Sequence, residues 1–249
     1  MPSHSLADRI GELLVLTPTE QRVLERLGER ERIVKRGTTL VRENDRSTEL
    51  FVLKRGMMMA YVLLHDGSRQ VLRFLYPGDT IGMSVIAYGK APDTLVALAD
   101  STVAAIDRVQ LAQLVYRHPR LAMAFAAMEQ VERATLTDRL AAMGRTPARS
   151  RIAAVLLDIR DRQRRCDPAI AKTFNLGLTQ EEIGDATGLT AVHVNRMLRQ
   201  LEEQGLIARS GTRVTMLDEQ ALVRFANHVD RFSGIDLSWL PPEGEAGSG

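Results

Sequence analysis

The sequence predicts an α+β protein: an N-terminal antiparallel β jelly-roll barrel, one long helix and a C-terminal winged helix-turn-helix. Three observations predict it. Residues 31–106 fall into short apolar runs separated by turn signals, no helix breaker interrupts Pro119 to Gly144, and residues 178–207 (LTQEEIGDATGLTAVHVNRMLRQLEEQGLI) carry two helix caps around a glycine. The expected domains are a barrel sensor domain over 1–118, a dimerisation helix over 119–144, a DNA-binding domain over 145–217, and a helical extension with a disordered tail over 218–249.

In the first segment, Leu50 to Leu53, Met57 to Leu64, Val71 to Leu75 and Thr102 to Ile106 alternate with Arg36-Gly37, Asn44-Asp45, Arg55-Gly56, Asp66-Gly67 and Pro77-Gly78. Regular short strands and turns of this kind close an antiparallel barrel, a scaffold that often holds a small ligand. Pro119 then opens a helix with Leu121, Phe125, Met128, Val131, Leu136, Leu140 and Met143 along one stripe. Packing on its own barrel accounts for the first half of that stripe. Its continuation through Leu140 and Met143 points to a second copy, although spacing alone leaves a single-chain core open.

Gly144 to Pro147 mark a boundary, and Arg149 to Ile159 begin the C-terminal domain. Thr179 and Glu182 have capping-box spacing, Gly188 permits a sharp turn, and Thr190 caps a second helix whose Val194, Met197, Leu198 and Leu201 face inward. That leaves Ala191, Val192, His193, Asn195, Arg196 and Arg199 toward solvent. Arginine donates two hydrogen bonds to guanine O6 and N7, and asparagine pairs with adenine, so Arg196 and Asn195 are the candidate base readers. Ala191 and Val192 suit a thymine methyl. Thr179, Thr190 and Arg199 suit phosphates, which set register without reading sequence. A helical hairpin with apolar spacing also occurs in ordinary cores; the segment after Gly205 argues against that. Leu206 to Ala208 and Val214 to Met216 bracket a hairpin whose Arg209 and Arg213 are placed to neutralise the flanking backbone.

Charge agrees locally rather than globally. The chain nets only +2, yet twelve basic residues face eight acidic ones between 145 and 216. Arg160, Arg162, Arg164 and Arg165 contribute to that excess; the alternative is a solvated helix end. From Asp218 to Leu240 a further helix is expected, with Leu222, Phe225 and Val229 at helical spacing and Trp239 docked on the body, before a disordered Pro-Pro-Glu-Gly-Glu-Ala-Gly-Ser-Gly end. A 45% hydrophobic content supports real cores, no run resembles a membrane span, and MPSHSLADRI has no secretory pattern. The cytoplasm is the expected location. The lone Cys166 excludes an intrachain disulfide; the neighbouring Arg164 and Arg165 make it a candidate redox thiol, against the reading of an ordinary small loop residue.

The order of parts, with the strings Gly37 to Asp45, Leu50 to Gly56, Tyr76 to Gly82, Asp100 to Val103, Gly188-Leu189-Thr190 and Val194-Asn195-Arg196, resembles the CRP/FNR family of bacterial transcription regulators over roughly residues 10–217. The resemblance implies a cyclic-nucleotide-binding-like barrel and a homodimer joined by the long helices. It also implies a palindromic operator on double-stranded DNA with half-sites about one turn apart, and contact with RNA polymerase if the protein is an activator. Arg196 matches the family's guanine-contacting arginine, whereas Ala191 and Val192 replace its usual Arg or Glu. Members that bind cyclic nucleotides carry a Gly-Glu phosphate cassette and an Arg-Ser/Thr pair; here Gly82-Met83-Ser84 and Ala91-Pro92-Asp93-Thr94 stand instead, which argues against cAMP. One cysteine cannot hold the iron–sulfur cluster of the oxygen-sensing members.

A haem has candidate ligands only in His65, His118 or a methionine, and isolated histidines are more often packing or surface residues. No cofactor and no metal are therefore expected, and the effector is an unidentified small molecule. An enzyme is excluded by the lack of a His-x-His pair, a Gly-x-Ser-x-Gly elbow or a P-loop. The alternative, a ligand-binding regulatory subunit that does not bind DNA, leaves the basic wing unexplained.

Overall fold

The computed structural model describes residues 3–241. The chain runs α1 (Leu6–Gly11), α2 (Pro18–Leu27), β1 (Glu31–Val34), β2 (Thr39–Val41), β3 (Glu49–Arg55), β4 (Met58–Leu63), β5 (Arg69–Leu75) and β6 (Thr80–Ile81). A short 3-10 turn at Met83–Ile86 precedes β7 (Thr94–Ala97), β8 (Ser101–Asp107), α3 (Arg108–Arg117) and α4 (Pro119–Arg145). The C-terminal half comprises α5 (Ala148–Cys166), β9 (Thr173–Asn175), α6 (Gln180–Thr187), α7 (Ala191–Glu203), β10 (Ile207–Ser210), β11 (Arg213–Met216) and α8 (Glu219–Ala226).

The barrel is two four-stranded sheets, ordered β1-β8-β3-β6 and β2-β7-β4-β5, and its strand pairings are antiparallel. Alternation along a strand decides what each side chain meets. Phe51 and Leu53 of β3 and Val103 and Ala105 of β8 point between the sheets, onto Met58, Leu75, Ile81 and Leu95. Leu50, Val52, Ala104 and Ile106 point outward onto α1, α3 and α4. Both faces of these strands are buried, so their sequences read as continuous apolar runs.

The 27-residue α4 divides in two. Leu121, Ala124, Phe125, Met128 and Val131 are buried on the barrel side, whereas Leu136 is 42%, Met143 40% and Leu140 74% exposed. The expected stripe is thus used by its own chain only over the first half.

The winged helix packs α5, α6, α7 and α8 against the sheet β10-β11-β9, around Ile152, Leu156, Ile183, Val194, Leu198, Leu201, Val214 and Leu222. The same apolar cluster continues into the barrel through Met57, Met59, Phe74 and Tyr76. Polar links reinforce the docking: Arg69 of β5 pairs with Asp185 of α6 at 2.7 Å, and the Gln70 amide donates to the Asp185 carbonyl at 2.9 Å.

The C-terminal extension departs from expectation. Its helix stops at Ala226 because Asn227 turns left-handed (φ 48°), a conformation asparagine tolerates, and its N–H bonds back to the helix carbonyls. Leu222 is buried, but Val229 is 54% exposed. The chain then returns across the molecule. Asp230 pairs with Arg165, Arg231 pairs with Asp138 of α4 at 2.6 Å, and the Phe232 ring lies beneath the guanidinium groups of Arg9, Arg162 and Arg165. Leu237, not Trp239, docks on the body, against the cluster of Leu6, Ile10 and Leu14; Trp239 is exposed. The expectation of a disordered end covers 241–249, of which all but Pro241 lie outside the described residues.

Candidate nucleic-acid interface

Each helix of the helix-turn-helix is set by its cap. The Thr179 hydroxyl accepts the Glu182 N–H while the Glu182 carboxylate accepts the Thr179 N–H at 2.7 Å, which starts α6. Gly188, left-handed at φ 68°, ends it. A second glycine decides the angle between the helices: a Cβ on Gly184 would stand 2.4 Å from the Leu189 carbonyl oxygen. Thr190 then caps α7 through the His193 N–H.

On α7, Val194, Met197, Leu198 and Leu201 are buried, and Val192, Arg196 and Arg199 form an exposed stripe on the opposite face. Ala191, His193 and Asn195 flank it, half-buried. Among the described residues no ion pair holds Arg196 or Arg199; Arg199 does lie near enough to Glu202 to help lower its pKa. The two capping threonines differ electrostatically. No acidic residue lies in the first turn of α7, whereas Glu181 and Glu182 lie in that of α6. An anion is better received beside Thr190 than beside Thr179.

The wing corrects one expectation. Arg209 lies within β10, opposite Val214, and is not at the hairpin tip. Its guanidinium pairs with Glu202 of α7 at 2.7 Å and its N–H donates to the same carboxylate, which holds Glu202 below the usual carboxylate range. Arg209 therefore fastens the wing to the recognition helix. Arg213, at the start of β11, is exposed and lies beside an open cleft bounded by Arg55 and Asp100 of the barrel.

Most of the basic run in α5 turns inward: Arg164 is exposed at the helix end, whereas Arg160, Arg162 and Arg165 are taken up inside the protein. Arg160 and Arg162 are 1% and 3% exposed. Arg162 pairs with Asp79 at 2.8 Å and Glu132 at 2.7 Å, and Arg160 pairs with Asp161 and Glu219, both at 2.8 Å. Burial opposes the charge of Glu132, yet the guanidinium groups of Arg162 and Arg73 overcome it and bring its pKa down to about 2. The local excess of basic residues is thus largely neutralised inside the protein.

Cys166 is corrected in the same way. Burial pushes its thiol up to about 12, with Asp79 adding to the effect, and Sγ lies 3.4 Å from the Pro77 carbonyl oxygen. Its arginine neighbours in sequence do not activate it, because Arg165 is taken up by Asp230 and Phe232.

In the barrel, the segment in place of a phosphate cassette turns its apolar side chains away: Met83 and Val85 are buried among the outer helices. Asp93 is raised above the ordinary carboxylate value by burial, opposed by Arg73 and aided by Glu43. Glu129 of α4 is likewise raised by burial, with Arg73 opposing and Glu132 adding. Among the described residues no group of three His, Cys, Asp or Glu side chains is arranged to hold a metal, and no helix is long and apolar enough to cross a membrane. His65 is exposed, and His118 lies at the α3–α4 junction.

A jelly-roll barrel joined by one long helix to a winged helix with an arginine-bearing recognition face defines a DNA-binding transcription regulator. Residues 31–118 match the cyclic nucleotide-binding domain and residues 150–225 the Crp-like helix-turn-helix domain. Over 208 residues, 83% of this chain and 82% of the relative, the sequence is 27% identical to the fumarate and nitrate reduction regulatory protein of Escherichia coli K12. The structure resembles FixK2 from Bradyrhizobium japonicum with a TM-score of 0.71 and 28% identity, over 78% of this chain and 96% of that one. It also resembles TTHB099, a CRP-family transcriptional regulator from Thermus thermophilus, with a TM-score of 0.61 and 25% identity, over 80% and 97% of the two chains. The chain belongs to the CRP/FNR family of transcription regulators, which are not enzymes.

Proposed function

We propose that the protein binds a palindromic operator as a homodimer, in the cytoplasm, with Arg196 donating to a guanine and Asn195, Ala191 and Val192 completing base readout. His193, Arg199, Thr190 and Thr179 contact the backbone in this reading, and Arg213 supplies the wing contact. The observation that carries it is the stripe of Val192, Arg196 and Arg199, exposed on one face of α7 with no internal ion-pair partner for either arginine among the described residues. Dimerisation is supported by the second half of α4, where Leu136, Leu140 and Met143 form an apolar seam that the chain itself leaves uncovered. RNA polymerase is the further partner if the protein activates.

The effector is proposed to be neither cAMP nor an iron–sulfur cluster, with no haem or other cofactor. Asp93, Glu129, Glu43 and Glu132 surround Arg73 in the barrel, and burial already disfavours ionisation of the first two, so an added cyclic phosphate would meet unfavourable charge. Selection of bound duplexes from a random pool, followed by salt-titrated binding, tests the operator reading: a two-fold symmetric consensus is expected. An asymmetric site or no enrichment would refute it.

A further inference from the structure

A half-open cavity of about 290 Å³ lies at the junction of α4 and α5. Five elements that are far apart in sequence wall it: β5 (Phe74), the second half of α4 (Ala142, Met143), α5 (Ala154, Val155), the end of α6 (Ala186) and the returning segment after α8 (Val229). It is separate from the barrel interior, which Phe51, Leu53, Met58 and Leu95 fill. The chain bends beside it at Thr146, whose carbonyl accepts from Arg151, and Arg151 also donates to the Thr187 carbonyl at the end of α6.

The lining is mostly apolar, and four ion pairs of this chain take up most of its charged groups, while Arg151 is held by the Thr146 and Thr187 carbonyls. Arg139 pairs with Asp158 at 2.7 Å, Arg231 with Asp138 at 2.6 Å, His228 with Asp161 at 2.8 Å, and Arg165 with Asp230. A charged guest would have to compete with one of these pairs or with the carbonyls that hold Arg151, whereas a neutral apolar one disturbs none of them. Size sets the scale, since a dry cavity of roughly 150 Å³ accommodates a benzene.

We propose that this cavity is a binding site for a neutral, apolar small molecule of about the size of two aromatic rings, and that its occupancy biases the orientation of the winged helix. The walls come from α4 and β5 on one side and from α5, α6 and the returning segment on the other. A guest touching both sides binds one relative orientation better than another, and so shifts the equilibrium between them. Val229, apolar and exposed at this place, lies at the mouth, and Met143 lines the wall with its other side toward the α4 seam. The regulatory half of the proposal rests on the operator reading; the binding half does not.

The test titrates the full chain with prodan, a neutral naphthalene (two-ring) fluorophore that brightens in apolar sites. Saturable binding near one equivalent per chain is expected, weakened roughly tenfold or more by A154F, which fills the cavity, and by V229D, which places a charge in its mouth. V229D alters an exposed position, so it remains informative if A154F fails to fold cooperatively. No saturable binding to the wild type, or undiminished binding to V229D, would overturn the site. Bound probe is also expected to shift the midpoint for a selected operator duplex in the wild type and not in V229D; identical midpoints would overturn the coupling. Failure of the probe-free wild type to bind any duplex would count against the operator reading alone.

Discussion

Arg162 of α5 reaches Asp79 in the barrel at 2.8 Å, with both side chains almost wholly enclosed. Asp79 also accepts the Tyr76 N–H at 2.9 Å, and the same guanidinium holds Glu132 of α4. One side chain therefore joins the barrel, the long helix and the winged helix. The attraction compensates the cost of burying the charges only while every partner is present.

Removing Arg162 leaves Asp79 buried without its ion-pair partner and Glu132 with only the more distant Arg73. R162A is expected to lose about 3–5 kcal/mol of stability in urea unfolding, the usual cost of breaking a buried ion pair from one side. The double variant R162A/D79A should lose much less than the sum of the single losses, since the pair shares one interaction.

Acid sensitivity follows from Glu132. Its folded pKa of about 2 lies below the ordinary value of 4.5, so the stabilisation is fully present above about pH 4.5 and is lost as the pH falls toward 2. Asp93 and Glu129, whose pKa values are raised, act in the opposite sense: they favour folding below the ordinary carboxylate range and lose that contribution as the pH rises. E132Q should flatten the decline of melting temperature between pH 4.5 and 2; an unchanged slope would place the acid sensitivity elsewhere.

Cys166 should be inert. With its thiol near 12, the thiolate is scarce at pH 8, and reaction with Ellman's reagent is expected to be at least ~100-fold slower in the folded protein than in guanidinium. Comparable rates in the two states would show an accessible thiolate.

On DNA, three arginines should separate. R196A is expected to cost about 1–3 kcal/mol on a selected operator and to relax one base position. R213A should weaken binding to all sequences and lower the salt slope by about one. R209A should act through the wing: because Arg209 fastens β10 to Glu202, E202Q should reproduce much of its effect, and a phosphate contact would not be mimicked that way.

The seam on α4 predicts an association that depends on Leu140, the most exposed of its three apolar residues. L140E should shift sedimentation toward the monomer at micromolar concentration while leaving the circular dichroism unchanged. An unaltered oligomeric state would move the interface off this helix.

Features encoded within a few residues are legible in the sequence. The caps at Thr179 and Thr190, the apolar spacing of Val194, Met197, Leu198 and Leu201, and the turn glycines of the barrel all sit where local rules place them. What local rules do not carry is which charges meet across the fold. Arg162 and Asp79 are 83 residues apart in sequence, so a run of arginines reads as a surface patch although Arg160 and Arg162 within it are interior. Arg209 reads as a phosphate contact of the wing because its pairing with Val214 and the reach of Glu202 are tertiary facts. Gly188 announces its turn through the caps on either side, whereas the close backbone approach at Gly184 leaves no mark beyond the glycine itself. The helix after Asp218 reads too long because the spacing of Leu222, Phe225 and Val229 continues past the asparagine that ends it.

The left-handed residue at 227 has a practical corollary for dissection. A fragment trimmed at Ala226, close to where the match to the helix-turn-helix domain stops, would strip Arg165 of its counter-ion, Asp161 of its imidazole and three guanidinium groups of the ring they share. Excised modules meant to behave like the parent molecule should keep the chain through Leu240.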